Sequence, residues 1–521
     1  MLRSRSRARE RDRLVTQPYR VLASTVFGVV LLAILGTAMG PVWDPVPLTD
    51  PLVVASSDTR IGGAPDELPR YAVHTSIVSV ELDGATVQAQ LSEPVGAPQP
   101  RAGVVFVHGA GTGSYTQAFV AQARALARAG VVTLVPNKRL DTYTTRHRDY
   151  VAMAGDYERS VDLLRSVPGV DPDRVGLYAE SEGAWIAPVM AADDERIAFA
   201  VLVSAPVVPP RQQAAFAADN YLRNTRVPHG VFRAIPRAVG MAVPGGGFEY
   251  VDFDVTPYQR RMTQPILMVY GTGDASMPVV QGAEQVIRDV AIAGNNAVTV
   301  RYYADASHGI RVDGEIVPAF LQDLPAWVAG LPDTARALPK VAGAQPRQDF
   351  YATPVPEPRW MSDGDLVFAA IGGAAALLAL CGAAVLVARG VEAVRVRRPH
   401  DTPVTVRRYA RGVAPSASLL GAGAVATVVG LIWYIVAIAR LALDYAHNDW
   451  VVKGGWIAVR VLGVAVVFAA VLLFRSVRRA VLSQTPVAPG ITRLTALVVA
   501  GTCSAVLLVI LAYWGVYQLG I

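Results

Sequence analysis

The chain has 521 residues, 52% of them hydrophobic and 17% charged, and its mean hydropathy is +0.34. These values exclude an all-soluble protein, and they equally exclude a disordered, collagenous, coiled-coil or disulfide-rich one. The net charge of +6 comes from basic residues beside apolar runs, not from a basic face on the polar stretch, so no nucleic acid is expected as a partner.

In chain order, a basic segment, MLRSRSRARERDR, precedes the first uncharged run, Val21 to Gly40. Further runs long enough to cross about 30 Å of hydrocarbon follow at Leu366 to Ala388, Ala417 to Ala439, Gly455 to Phe474 and Leu494 to Ile521. The predicted organisation is a cytoplasmic N-terminus over 1–20 and transmembrane helices over 21–40, 366–388, 417–440, 455–474 and 494–517. A domain over 75–335 is flanked by linkers over 41–74 and 336–365. The first run is longer than the apolar core of a signal peptide and is followed by Pro41, which favours an uncleaved anchor. The basic clusters are the N-terminus, RGVEAVRVRRPHDTPVTVRRYAR, and Arg475, Arg478, Arg479 and Arg493; holding them in the cytoplasm puts the domain on the extracytoplasmic side of the cell membrane. Arg460 interrupts the fourth span about one turn from its outer end, where the alternatives are snorkelling to the interface and pairing with Asp444. Cys381 and Cys503 both fall in spans, so the domain has no thiol for a disulfide or zinc site and neither metal nor organic cofactor is expected.

From Thr75 the pattern becomes β-branched runs separated by turns: SIVSVEL, ATVQAQLS and GVVFVHG. A helix-period segment, TQAFVAQARALARAG, leads to the strand VVTLVPN, and the helix DYERSVDLLRSV leads to RVGLYA. Strands at FAVLVS, ILMVYG and VTVRYYA complete the series. Strands alternating with helices imply a doubly wound, mostly parallel α/β sheet covered on both faces. The connection from about 206 to 264 is far longer than such a loop needs and reads as a helical cap insertion. It carries apolar residues such as Phe216, Tyr221, Phe232 and Ile235, then Pro244-Gly245-Gly246-Gly247.

Three places in this pattern carry chemistry. In Tyr178-Ala179-Glu180-Ser181-Glu182-Gly183 a strand stops and a helix starts at a serine, the arrangement that lifts a hydroxyl above the C-terminal edge of a sheet. In His108-Gly109-Ala110-Gly111 glycines after a strand present N–H groups that suit a tetrahedral oxyanion. Tyr270-Gly271-Thr272-Gly273-Asp274 and Asp305-Ala306-Ser307-His308-Gly309 put a carboxylate and a histidine at the ends of late strands, completing the chain order Ser, Asp, His. Of the seven histidines, only His308 has the right topological place.

These residues resemble those of the α/β-hydrolases, in particular the bacterial dienelactone-hydrolase and prolyl-oligopeptidase-like serine hydrolases. The stretch VDLLRSVPGVDPDRVGLYAESEGAWIAPVMA, Val161 to Ala191, is the most specific part of a similarity covering about residues 75–335. The resemblance implies Ser181 as nucleophile, His308 as base, Asp274 as the acid that orients it, and the backbone N–H groups of Ala110 and Glu182 as oxyanion donors. Ala179 stands where the family has glycine, Glu182 where a neutral residue is usual, and Asn137-Lys138-Arg139 where many relatives have an aspartate before a basic pair. Glu182 is thus expected to add negative charge beside the oxyanion hole.

The expected function is a membrane-anchored extracytoplasmic serine hydrolase that cleaves an acyl ester or thioester, lipid-like in its chain, through an acyl-enzyme, with membrane lipid as its other partner. The rivals are an acyltransferase acting on an envelope lipid or sugar, and an inactive hydrolase-fold binding module.

Overall fold

The computed structural model describes residues 2–65, 67–111, 113–143, 148–242, 253–397, 407–443 and 446–519. His147, Pro244-Gly245-Gly246-Gly247, His400, Asp444 and Ile521 lie outside them. The chain divides into two compact units, one comprising residues 44–221 and 246–355, the other residues 1–43, 222–245 and 356–521.

The chain begins with helix α1 (Leu2–Met39) of the second unit and then enters the first, which is built on a nine-stranded sheet. Its strands in chain order are β1 (Ala72–Leu82), β2 (Ala85–Val95), β3 (Arg101–Val107), β4 (Val132–Pro136), β5 (Val170–Glu180), β6 (Ala200–Val203), β7 (Ile266–Gly271) and β8 (Val298–Tyr303). A short hairpin, β9 (Arg311–Val312) with β10 (Glu315–Ile316), follows, and β11 (Val341–Gly343) completes the sheet. The spatial order is β1-β2-β4-β3-β5-β6-β7-β8-β11. The β1/β2 and β2/β4 pairs are antiparallel and every later pair is parallel.

The central strands β3, β4, β6, β7 and β8 are buried at every residue, which is what runs such as VVFV, VTLVP and ILMVYG demand of a sheet covered on both faces. Helices α2 (Val120–Arg128), α3 (Tyr150–Ser166) and α4 (Gly183–Asp193) cover the sheet, and α5 (Pro210–Asn224) opens the long connection after β6. The connection continues through α6 (Ala234–Val239) and ends at α7 (Thr256–Gln259); α8 (Val279–Val290), α9 (Pro318–Ala329) and α10 (Asp333–Arg336) complete the unit. Helix α3 starts at Asp149, whose carboxylate accepts the N–H groups of Val151 and Ala152.

The segments expected as linkers take part in this core. Leu48, Leu52 and Val54 pack against it, Ile61 is buried within it, and β11 pairs in parallel with β8. The entering and leaving chains also meet each other: the Leu48 N–H donates to Asp349 O at 2.9 Å and the Tyr351 N–H to Val46 O at 2.8 Å, either side of a Pro47–Phe350 bridge.

The second unit is helical. Among the described residues five helices are long and apolar enough to cross a membrane: Pro18–Met39 within α1, Gly364–Arg397 (α11), Val413–Leu441 within α12 (Val413–Leu443), Trp450–Leu482, which is a short π-turn and then α13 (Trp456–Leu482), and Ile491–Tyr513 (α14). Helix α12 packs on α13 and α14, α11 on α14, and α1 on α13 and α14. Arg493 at the start of α14 makes a two-pronged ion pair with Glu392 of α11, at 2.8 and 2.9 Å. Arg460 donates to the carbonyl of Gln518.

Residues 222–245, the middle of the expected cap, group with these helices. Arg233 donates to Thr37 Oγ1 at 2.8 Å, and buried Arg237 donates to the carbonyls of Gly36, at 3.1 Å, and Tyr513. The cap expected over 206–264 is therefore divided between the two units.

Candidate active site

Ser181 sits between the end of β5 and the start of α4 with φ of +56°, a left-handed conformation that a non-glycine residue holds only when its surroundings impose it, at about 1–3 kcal/mol. The imposing contacts are identifiable. The Ser181 N–H donates to Val203 O at 3.0 Å, and α4 packs so closely on β3 that a Cβ on Gly183 would stand 2.5 Å from Val107 O. Ala179, in place of the family glycine, lies inside β5 between Val107 and Leu202 and is fully buried. The departure costs nothing there because the position is ordinary strand.

Asp274 and His308 come together after β7 and β8: His308 Nδ1 is 2.9 Å from Asp274 Oδ2. Asp274 is buried, with its other oxygen, Oδ1, accepting the Ser276 N–H at 3.0 Å. An ionised carboxylate can only accept, so Nδ1 carries the proton and Nε2 is left as the basic nitrogen. Burial alone would lower the imidazole's pKa; the carboxylates of Asp274 and Glu180 outweigh it and raise the value above the ordinary 6.5. Glu180, the residue before Ser181, is itself pushed upward by burial, partly offset by His308 and by the Tyr178 hydroxyl, which donates to it at 3.3 Å.

On the other side of the serine lies the turn after β3. A Cβ on Gly109 would stand 3.1 Å from Ser181 Cβ and 3.7 Å from its Oγ, so this turn borders the Ser181 hydroxyl. His108 is buried and serves the turn: its Nε2 donates to Pro136 O at 2.6 Å, and its backbone N–H donates to the Tyr157 hydroxyl at 3.2 Å. Burial pushes the imidazole down to about 4, so it is neutral and structural. Among the described residues neither the Ala110 nor the Glu182 N–H is given to another backbone acceptor.

The Glu182 side chain is the largest departure from expectation. It is buried, and its Oε2 accepts from Lys138 Nζ at 2.7 Å and the Tyr143 hydroxyl at 2.9 Å. Its Oε1 accepts from Arg148 at 2.9 Å and the Tyr150 hydroxyl at 3.3 Å. Two cations therefore face one carboxylate, and the negative charge expected beside the oxyanion hole is more than neutralised. Tyr143, Arg148 and Tyr150 carry no signal in the sequence, while Lys138 stands out there only as part of the Asn137-Lys138-Arg139 departure and Glu180 only as a member of the elbow string. The one available signal was the paired departure at Lys138 and Glu182, opposite charges at two unusual places.

This sheet order, with a serine elbow after β5 and an acid and a histidine after β7 and β8, is that of an α/β-hydrolase. Residues 156–314 match the family model described as "BAAT / Acyl-CoA thioester hydrolase C terminal", a span that contains Ser181, Asp274 and His308. The match lies largely within the sheet unit, which is thus similar to esterases and thioester hydrolases, and the same chain carries helices apolar enough to span a membrane. Solved structures similar to it include a dienelactone hydrolase from Anabaena variabilis, at 21% identity and TM-score 0.33, covering 49% of this chain and 97% of that one. An esterase from Pyrococcus furiosus matches at 14% identity and TM-score 0.35, covering 52% of this chain and 98% of its own. Est1E from Butyrivibrio proteoclasticus matches at 15% identity and TM-score 0.35, covering 50% and 98%. No curated protein matches the chain.

Proposed function

We propose that the protein is a membrane-anchored serine hydrolase that cleaves an acyl ester or thioester through an acyl-enzyme. The observation that carries this reading is the 2.9 Å pairing of His308 Nδ1 with buried Asp274, at the same sheet edge as a serine held in a left-handed elbow. Ser181 Oγ attacks the acyl carbonyl and His308 Nε2 takes its proton. The N–H groups of Ala110 and Glu182 hold the oxyanion, and the imidazolium returns the proton to the departing alkoxide or thiolate. Water, deprotonated by the same imidazole, then attacks the acyl carbonyl, and the imidazolium gives that proton to Ser181 Oγ as the acid leaves.

The thioester hydrolase named in the matching family description supports a thioester or ester over a peptide. A lipid-like acyl chain accords with a domain joined at both ends to apolar helices. An extracytoplasmic catalytic domain accords with the positive-inside rule, because the arginine clusters lie before the first apolar span, at the end of α11 and in the α11–α12 connection, and at the end of α13 and the start of α14.

The test is fluorophosphonate labelling of membranes, with wild type and Ser181→Ala compared, followed by turnover of p-nitrophenyl esters of rising chain length. Labelling that persists in a folded Ser181→Ala protein rejects the nucleophile; a preference for acetate, or for peptides, rejects the lipid-like acyl chain. A reporter fused after Gly330 reads the sidedness, and activity of its cytoplasmic form rejects the outside placement.

A further inference from the structure

Lys138 follows β4, and its ammonium is almost wholly shielded from solvent, with the side chain 1% exposed. An ammonium has three hydrogens, and three acceptors surround this one. Glu182 Oε2 lies at 2.7 Å, the Gly109 carbonyl oxygen at 2.9 Å, and the centroid of the Tyr143 ring at 3.7 Å. The backbone of Lys138 is fixed as well, its N–H donating to Gly113 O at 2.8 Å in the loop that continues the β3 turn. Burying a lysine this completely is costly, and burial does pull its pKa down, against the opposing pull of Glu182. Neither neighbour is where the catalytic base lies; both belong to the oxyanion side of Ser181.

The two partners have a common property. The Gly109 carbonyl and the Ala110 N–H are the two ends of one peptide unit, and in a trans peptide they point in opposite directions. A cation that grips the carbonyl therefore sets the plane of that unit and turns its N–H away from itself. It also polarises the unit, which strengthens the N–H as a donor. The second partner, Glu182, carries the other proposed oxyanion N–H on its own backbone, and the Glu182 side chain is held at both oxygens.

We propose that Lys138 is a positioning residue that sets both oxyanion donors at once, the Ala110 N–H through the carbonyl of its own peptide and the Glu182 N–H through its side chain. This rests on the serine-hydrolase reading. Arg148 and Tyr143 complete the grip on Glu182, so that Lys138 can be shared between the two halves of the hole.

The experiment uses the purified full chain in detergent, with a p-nitrophenyl ester and a trifluoromethyl ketone whose hydrate or serine adduct carries the tetrahedral oxyanion. Lys138→Met removes the shared cation. Because it leaves Glu182 with fewer partners and can fail to fold, Lys138→Met/Glu182→Gln is measured beside it; that pair removes the cation together with the carboxylate it faces and leaves Arg148 an amide oxygen as its acceptor. In whichever variant melts as a folded protein, kcat is expected to fall about 100- to 1,000-fold, the range for losing an oxyanion donor. KM should stay within about threefold, ketone affinity should fall by the same factor as kcat, and the acid limb of the pH profile, set by His308, should not move. Lys138→Arg should recover part of the loss.

A folded variant whose kcat and ketone affinity stay within about threefold of wild type overturns the proposal. So does a loss of kcat accompanied by a shift of the acid limb, which would place the damage at the triad. A wild-type protein that neither labels with fluorophosphonate nor turns over any ester brings down the hydrolase reading itself. An active wild type with indifferent variants brings down only the role of Lys138.

Discussion

Two carboxylates flank Ser181 and serve opposite sides of it. Glu180 turns toward His308, where its charge joins that of Asp274 in raising the imidazole's pKa against the effect of burial. Glu182 turns toward the turn after β3, where Lys138, Arg148, Tyr143 and Tyr150 consume its acceptor capacity. Two positions apart in sequence and alike in chemistry, the two differ in their partners: one is negative toward an imidazole, the other is buried beneath cations. The elbow reverses direction at Ser181, which is what allows two side chains two positions apart to face opposite sides of that serine.

The comparison fails at once if neither half is catalytic. Ser181→Ala and His308→Ala are each expected to lower turnover by at least about 10⁴-fold with the melting temperature preserved, measured with a p-nitrophenyl ester on the full chain. On the base side, Asp274→Asn should lower kcat by about 10³- to 10⁴-fold through the loss of the fixed tautomer. It should also move the acid limb of kcat/KM to lower pH, because the carboxylate that raises His308 is gone and burial, which lowers it, remains.

His108 supplies a contrasting histidine on the oxyanion side. Its folded value is depressed to about 4 while the unfolded chain takes up the proton near 6.5, so the unfolded state binds more protons between those values. Stability is therefore intact above about 6.5 and is lost as pH falls toward about 4, by about 3 kcal/mol from this group. Melting followed between pH 7 and 4 should fall more steeply in wild type than in His108→Asn. The smallest effect is expected from Glu180→Gln: an acid limb shifted to lower pH, in the same direction as Asp274→Asn, with kcat within about tenfold of wild type. A shift upward instead would mean that the two flanking carboxylates do not divide their work in this way.

The mostly parallel sheet was legible because its strands are unbroken β-branched and apolar runs, and the C-terminal ends of those runs named the places where chemistry collects. β11 was not legible: Val341–Gly343 is three residues long, too short for any period, and it exists because the edge of β8 offers parallel partners. The core roles of Leu48, Leu52 and Val54 were hidden for the same reason, since isolated apolar residues in a proline-rich stretch carry no pattern. At the candidate site, position in the strand series pointed to Ser181, Asp274 and His308. The neutralising of Glu182 by Lys138 could not be read that way, because 44 positions separate the two and only the fold closes that distance. Read alone, Glu182 seemed to oppose an oxyanion; its surroundings reverse the sign.

The clasp between residues 46–48 and 349–351 has a mechanical meaning. A domain held through both ends is pulled wherever its anchors drift apart, and the tension enters at the two tethers. Here those tethers are stitched together outside the nine strands, by two backbone hydrogen bonds at 2.8 and 2.9 Å, and the leaving tether is pinned once more at Ala352, which exchanges two hydrogen bonds with the Gln281 side chain. Load entering at either tether therefore meets these bonds before it meets the strands that carry Ser181 and His308.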